Sequence, residues 1–544
     1  MDPFASHAVV NQPPPLADHD AYAADVALRE AVAQLDGAWG GERLHRYGVL
    51  AGGDLRALGE EANRSPPRLR THDRFGHRID QVEFHPAWHR LMTLAMAHGL
   101  HALPWQQPRA GAHVVRAALE YLHHQAEAGS NCPLTMTHAA MPVLRQGGER
   151  LAPWCQALLG DRYDPRDVPV AAKTAITVGM GMTEKQGGSD VRANSSRAEA
   201  QADGSVLLTG HKWFLSAPAS DGFLVLAQGD AGLGCYLMPR LLDDGTRNHL
   251  RLQRLKDKLG NHANASSEAE FVQALAWPVG APGRGIATIL EMVALTRLDC
   301  MVGSAALVRQ ALVQAVHHCR HRHAFGRRLA EQPLMANVLA DLALESEAAL
   351  WLALRTAQAL DRAGGDPSEA ALARVLTPVG KYWICRRAPA VVNEAQECLG
   401  GGGYVEESIL PRLYREAPLN SIWEGCGNIQ CLDLLRALAR EPACIDALRD
   451  ELALASGADG AYDAAVAAIE PTLRAGRTDE AGSRLLAERL ALLLQAGLLL
   501  RHAPPALAGA FCRSRLGGEH GTALGTLPSG CAFDSIIERA WADG

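Results

Sequence analysis

Between about residue 175 and residue 280 the chain stops placing apolar residues at helical spacing and breaks into short apolar runs. "TAITVGMGMTEKQGGSD", "GSVLLTGHKWFLSAPASDGFLVLAQ" and "GLGCYLMPR" are divided by Gly, Ser and Asp, the punctuation of strands and turns. A compact β domain is therefore expected inside an otherwise helical chain. Upstream, "AYAADVALREAVAQL" and "GAHVVRAALEYLHHQAEAG" carry helical periodicity, and residues 20 to 160 read mostly as helices. Downstream, "GIATILEMVALTRLDCMVGSAALVRQALVQAVHHCRHR" opens a helical region that runs to about 440. An Ala- and Leu-rich segment with breaks at "APP", "RLGGEHG" and "LPSG" follows. The expected division is 1–178 (arm and helical domain), 179–280 (β domain), 281–440 (second helical domain) and 441–544 (C-terminal helical domain). The order α, β, α, α excludes a doubly wound sheet, in which strands and helices alternate.

At 544 residues the chain is too long for one core. With 48% hydrophobic and 21% charged residues it reads as soluble and globular. A net charge of −7 gives no global attraction to nucleic acid or membrane. Six Lys stand against 47 Arg, a bias that suits phosphate binding and that a GC-rich genome produces equally well. The 12 Cys form no C-x-x-C pair, which fits reduced thiols in a cytosol. The N-terminus lacks the basic and apolar regions of a signal peptide, and the longest apolar stretch, 485–500, is interrupted by Glu488 and Arg489 and too short to span a bilayer. A cytoplasmic protein with no membrane partner is expected. "GMGMTE" lacks the third glycine of a dinucleotide fingerprint and "GGGGY" follows a helical stretch, so a nucleotide-binding Rossmann unit is not expected. "HHCRHRHAFGRR" lacks defined ligand spacing, and no metal is expected.

Read alone, "MTEKQGGSDV" is a small-residue loop after a strand. Its N–H groups and the hydroxyls of Thr183 and Ser189 suit ring edges or a pyrophosphate; an ordinary Gly/Ser turn fits as well. In "GHKWFLS", strand alternation puts Phe214 and Ser216 on one side and leaves Trp213 to the core. "NSIWEGCGNIQCLDLLR" holds a single acid near its start, Glu424, readable as a catalytic base or as a cap for the helix behind it.

"MTEKQGGSDV", "GHKWFLS", "RHAFG" and "GGGGY" with "IWEGCGNIQ" occur in the order and rough spacing of the acyl-CoA dehydrogenase family, which the chain resembles. "NQPPPL", "FHPAWH", "LKDKLGNHANAS", "EQPLM" and "LYREAPLNSIWEGCGN" resemble its AidB branch, flavoproteins of the bacterial DNA-alkylation response. The resemblance implies a mainly α fold with a central β-barrel domain between helical domains, plus an extra C-terminal helical domain. It implies FAD and a homotetramer built as a dimer of dimers. By position it assigns Met182, Thr183, Gly188, Ser189, Phe214, Ser216, Gly400, Gly401, Cys426 and Asn428 to the cofactor. Arg322 and Phe325 are assigned to the FAD of the neighbouring subunit, and Glu424 to the base that takes the α-proton of an acyl-CoA thioester. Arg297 becomes a CoA contact or a salt-bridge residue. The chain departs from the family pattern at Lys185, Phe214, Ser216, Gln332, Glu397, Cys426 and Asn428.

The same branch implies weak dehydrogenase activity together with double-stranded DNA binding. The alternative to acyl-CoA turnover is thus a DNA-associated protective flavoprotein. Residues 441–544 hold nine Arg, no Lys and 14 Asp plus Glu, a net of about −5, which repels DNA. Arg474, Arg477, Arg484 and Arg489 could still collect on one surface, with Arg436 and Arg440 just before them.

Overall fold

The computed structural model describes Phe4, residues 6–475 and residues 479–541, so Arg477 lies outside the described residues. The four segments fold into two compact units, one of residues 54–299 and one of residues 1–53 with 300–544.

In the first unit, nine strands account for the β structure: β1 (Arg68–His72), β2 (Arg78–Glu83), β3 (Val178–Gly181), β4 (Arg197–Ala200), β5 (Val206–Ser216), β6 (Gly222–Gly229), β7 (Gly232–Pro239), β8 (Leu250–Leu255) and β9 (Ser266–Val279). Seven form a sheet of order β3-β5-β4-β6-β7-β9-β8, and the further pairings β3–β6 and β5–β9 close it into a barrel. Alternate residues of β5 and β9 and the apolar runs of β6 and β7 fill the barrel: Leu208, Leu215, Phe223, Val225, Met238, Phe271 and Ala274 are fully buried or nearly so. The short runs punctuated by Gly and Ser become a barrel because each strand has one face to bury and the ring β5-β4-β6-β7-β9 closes on itself, leaving β8 as an outer strand on β9.

The helical reading of residues 20–160 needs one correction. β1 and β2 form an antiparallel hairpin whose Leu69 and Val82 pack on the barrel core, and Arg78 donates to the Leu252 carbonyl at 2.7 Å. The helices Pro86–Ala97, Ala112–Ala126 and Asn131–Arg145 complete this unit. Ala112–Ala126 is buried at every position but His113, so its polar residues need internal partners. Arg116 meets the Leu100 carbonyl (2.8 Å), Glu120 (3.0 Å) and Asp299.

The second unit is helical. The long helix Gly285–His321 enters it at Cys300, followed by Pro333–Arg362, Pro367–Cys398, Gly427–Arg440, Ser483–His502 and Phe533–Ala540. Asp366 starts the third of these by accepting from Ser368 N at 2.8 Å. Residues 441–544 are bound in by buried ion pairs. Arg355 joins Glu369 and Glu451, both at 2.8 Å, Arg515 meets Asp341 and Glu345, and Arg539 bridges Glu30 and Glu347. The N-terminal residues close the same unit, with Asp25 paired to Arg309 at 3.0 Å. Among the described residues no helix is long and apolar enough to cross a membrane.

Candidate functional site

The loop after β3 is fixed from below by a buried carboxylate. Glu184, fully buried, accepts from Lys212 Nζ at 2.8 Å, from Ser195 N and Oγ at 2.7 and 2.9 Å and from Ser196 N at 3.2 Å. Burial pushes this carboxyl up, but the Lys212 ammonium and the serine donors outweigh it and hold it well below the usual range. Lys212 also donates to the Leu226 carbonyl at 2.8 Å. The Thr183 carbonyl accepts from Trp213 N at 2.8 Å and the Met182 carbonyl from Asn194 at 3.0 Å. A Cβ on Gly188 would stand 2.3 Å from Thr183 Oγ1, so any side chain there would displace Thr183. Thr183 is half-buried and Ser189 exposed.

Trp213 and Phe214 sit at a β-bulge: in the β5–β9 ladder the register slips between Lys212 and Leu215. One extra residue is squeezed out and both rings are turned outward. Phe214 is 45% exposed, while Leu215 between it and Ser216 is fully buried. Trp213 is not a core residue as alternation suggested. It is half-exposed beneath Lys256, whose Nζ stands 3.4 Å from the ring centroid. Lys185, where the chain departs from the family pattern, is exposed, and its N–H donates to His211 at 3.0 Å.

In the helical unit, Gly400 has φ +58° and ψ −138°, a conformation that demands glycine. Added Cβ atoms on Gly400, Gly401 or Gly402 would meet nothing within 4 Å, so this run presents bare backbone. Glu397 is exposed, and its carbonyl accepts from Gly400 N at 2.9 Å. The strands β10 (His323–Ala324) and β11 (Arg327–Arg328) make a two-residue hairpin turned by Phe325 (φ +52°) and Gly326 (φ +79°). Phe325 is 98% exposed. Gln332 donates to the Ala324 carbonyl at 3.0 Å, and Arg322 donates to the Asn11 carbonyl at 2.7 Å. His317, in the run read against metal binding, bonds the Pro14 carbonyl at 2.9 Å. Among the described residues no group of His, Cys, Asp or Glu could hold a metal ion.

Glu424 is half-buried in the left-handed region, φ +57°, followed by Gly425 at +91°. The helix Gly427–Arg440 starts from Cys426, whose side chain makes no capping bond. The acid's loop is clamped from inside. Lys381, 1% exposed, donates to the carbonyls of Asn420, Trp423 and Gly425, each at 2.9 Å. Gln430 donates to the carbonyls of Glu424 (3.2 Å) and Gly425 (2.8 Å). Asn420 accepts from Trp423 Nε1 at 2.8 Å and donates to Ser304 at 3.2 Å. Asn428 accepts from Arg484 at 2.9 Å. Neither the clamp nor the Glu184–Lys212 pair was singled out in the sequence. The available signal was a lone charge in an apolar or glycine-rich run, which on folding must find a partner.

Arg297 is buried at 7% exposure. Arg436 and Arg440 are exposed on one helix, four residues apart, with no ion pair among the described residues. Of the tail arginines, Arg474 pairs with Glu470 at 2.9 Å and Arg484 is engaged at Asn428, while Arg489 is exposed.

Residues 11–165 match the adaptive response protein AidB N-terminal domain, 179–274 the acyl-CoA dehydrogenase middle domain and 283–439 the acyl-CoA dehydrogenase C-terminal domain. The chain is 47% identical to AidB of Escherichia coli (strain K12) over 524 residues, 96% of each chain. It is 30% identical to acyl-CoA dehydrogenase family member 11 of Caenorhabditis elegans over 416 residues, 73% of this chain and 66% of that one. Among solved structures it is similar to C. elegans ACDH-11 in complex with C11-CoA, with a TM-score of 0.85, 25% identity and 94% coverage of both chains. The apo form of Bd2924 aligns with a TM-score of 0.80 and 28% identity, over 90% of this chain and 99% of that one. The chain belongs to the AidB branch of the acyl-CoA dehydrogenase family and is an FAD-dependent oxidoreductase acting on CH–CH groups.

Proposed function

We propose that the chain oxidises the α,β bond of acyl-CoA thioesters with Glu424 as the base, and that the clamped Glu424 loop is the observation that carries this reading. A carboxylate in the left-handed region costs about 1–3 kcal/mol of backbone strain. That strain persists because five hydrogen bonds from Lys381 and Gln430 hold the loop carbonyls at and around Glu424. Such over-determination supports reading Glu424 as a carboxylate held for proton transfer.

The residues present fit FAD. Gly400–Gly402 offer backbone with open Cβ space, Phe214 presents a ring at the bulge, and Cys426 leaves the first N–H groups of the helix Gly427–Arg440 without a side-chain cap. In our reading Met182, Thr183, Gly188, Ser189, Phe214 and Ser216 serve the flavin ring, and Gly400, Gly401, Cys426 and Asn428 serve the nucleotide part. When bound, FAD would supply the acceptor for the hydride of the substrate's β-carbon. The chain's own task is then to take the α-proton on Glu424, to keep the loop from relaxing and to orient the thioester. Arg297 is buried, which favours the salt-bridge reading over an exposed CoA contact. Phe325, exposed and strained, together with Arg322 serves the cofactor of a second copy in a homotetramer. The C11-CoA held by ACDH-11 supports a thioester of medium length as substrate.

A second reading, duplex DNA binding in an alkylation response, is favoured by the exposed pair Arg436 and Arg440, but not by the tail. There Arg449, Arg474, Arg501, Arg513, Arg515 and Arg539 are each spent on an acidic partner. Replacing Glu424 by Gln tests the first reading: the variant keeps its yellow cofactor and loses acyl-CoA oxidation. Wild-type oxidation by that variant would refute the assignment.

A further inference from the structure

The motif "NQPPPL" has so far no role, yet it reaches one of the proposed cofactor elements. Asn11 donates from Nδ2 to the His323 carbonyl at 2.8 Å and accepts on Oδ1 from the His323 N–H at 2.7 Å. A single side-chain amide thus takes up both backbone groups of one strand residue, as a neighbouring strand would. Its own carbonyl accepts from Arg322 at 2.7 Å. Three residues on, the Pro14 carbonyl accepts from His317 at 2.9 Å.

The hairpin needs such a brace. It has only two residue pairs, His323 with Arg328 and Ala324 with Arg327, and a two-stranded hairpin is marginal by itself. Its turn also forces Phe325, a residue with a large side chain, to φ +52°, where Asn or Gly is usual. Asn11 stands at φ +58°, a conformation asparagine tolerates, and the prolines at 13, 14 and 15 hold the following segment extended at low entropic cost. The order Asn, Gln, Pro, Pro, Pro is what a pre-set strap requires.

We propose that the N-terminal arm, through Asn11, is the positioning element of the Arg322–Phe325 hairpin, holding the guanidinium and the ring in the geometry that receives a second copy of this chain and its cofactor. This rests on the assignment of Arg322 and Phe325 to a neighbouring subunit's FAD.

The test compares wild type, Asn11→Ala, Asn11→Asp, Phe325→Ala and the double variant N11A/F325A as holoproteins. FAD release is followed on dilution, assembly mass by light scattering and thermal unfolding on the FAD-stripped chains. The expected result is FAD release about tenfold faster for N11A, equivalent to about 1.4 kcal/mol, with an unchanged unfolding midpoint of the stripped chain. N11D, which keeps the acceptor, falls between N11A and wild type, and the double variant releases FAD no faster than F325A, because both changes remove one function. Wild-type release by N11A beside fast release by F325A would overturn the strap and leave the hairpin's assignment standing. Wild-type release by F325A would overturn both. A lowered unfolding midpoint in stripped N11A would assign Asn11 to the fold instead and also overturn the strap.

Discussion

Glu424 stands on a loop whose carbonyls are held by a buried ammonium, and this separates two kinds of substitution. Glu424→Gln keeps size and backbone and removes only the proton acceptor. Turnover is expected to fall about 10³-fold with FAD content unchanged, measured as acyl-CoA oxidation per bound flavin. Lys381→Met leaves the carboxylate in place but removes the three 2.9 Å bonds to Asn420, Trp423 and Gly425. The loop is then free to leave the left-handed region, and a displacement near 1 Å costs about 100-fold in rate. The expected pattern is a fall in kcat with little change in KM. A rise in KM at constant kcat would mean that Lys381 serves binding instead.

At the scale of elements, the barrel and its loop depend on the pair Glu184–Lys212, both side chains fully buried. Lys212→Met strands a buried carboxylate, and about 3–5 kcal/mol of stability is expected to be lost, read as a lower denaturant midpoint. A second element-scale prediction concerns His101 and three histidines of the helix Ala112–Ala126. Burial pushes the imidazoles of His101, His113 and His124 down to about 4 and that of His123 to about 3, so the fold holds them neutral. Their unfolded value is about 6.5. Stability is therefore complete above that pH and is lost as pH falls from about 6.5 toward 4, at up to about 1.4 kcal/mol per pH unit for each histidine. Thermal unfolding at stepped pH checks this, and a flat midpoint across that window contradicts it.

The same scale shows what could be read in the sequence. Gly and Ser breaks between apolar runs marked the barrel, since a strand that buries one face needs a turn at each end. The hairpin Arg68–Glu83 was hidden because "RLRTH" and "RIDQVE" are largely charged and set only Leu69 and Val82, both partly buried, against the barrel core. Trp213 was misplaced because counting by twos fails across a register slip. Glu424, the glycine run and the Phe325 turn were legible as motif residues. The clamp was not, because Lys381 lies 43 residues before Glu424 and only the packing of two helices brings them together.

At the scale of the whole chain, residues 441–544 belong to the same compact unit as residues 1–53, and their arginines are mostly consumed in ion pairs with Glu451, Glu470, Glu519, Glu345 and Glu347. Under the DNA reading, the exposed Arg436 and Arg440 are the first residues to test. Replacing both by Ala is expected to lower the salt slope of duplex binding by about 2, followed by fluorescence anisotropy across ionic strength. An unchanged slope would remove these residues from the DNA reading. Dehydrogenation with Glu424 as base is put to the test by anaerobic titration of the purified holoprotein with acyl-CoAs of short, branched and medium chain. Bleaching of the flavin by at least one of them, absent in Glu424→Gln, is predicted; a flavin that stays fully oxidised with every thioester would contradict it.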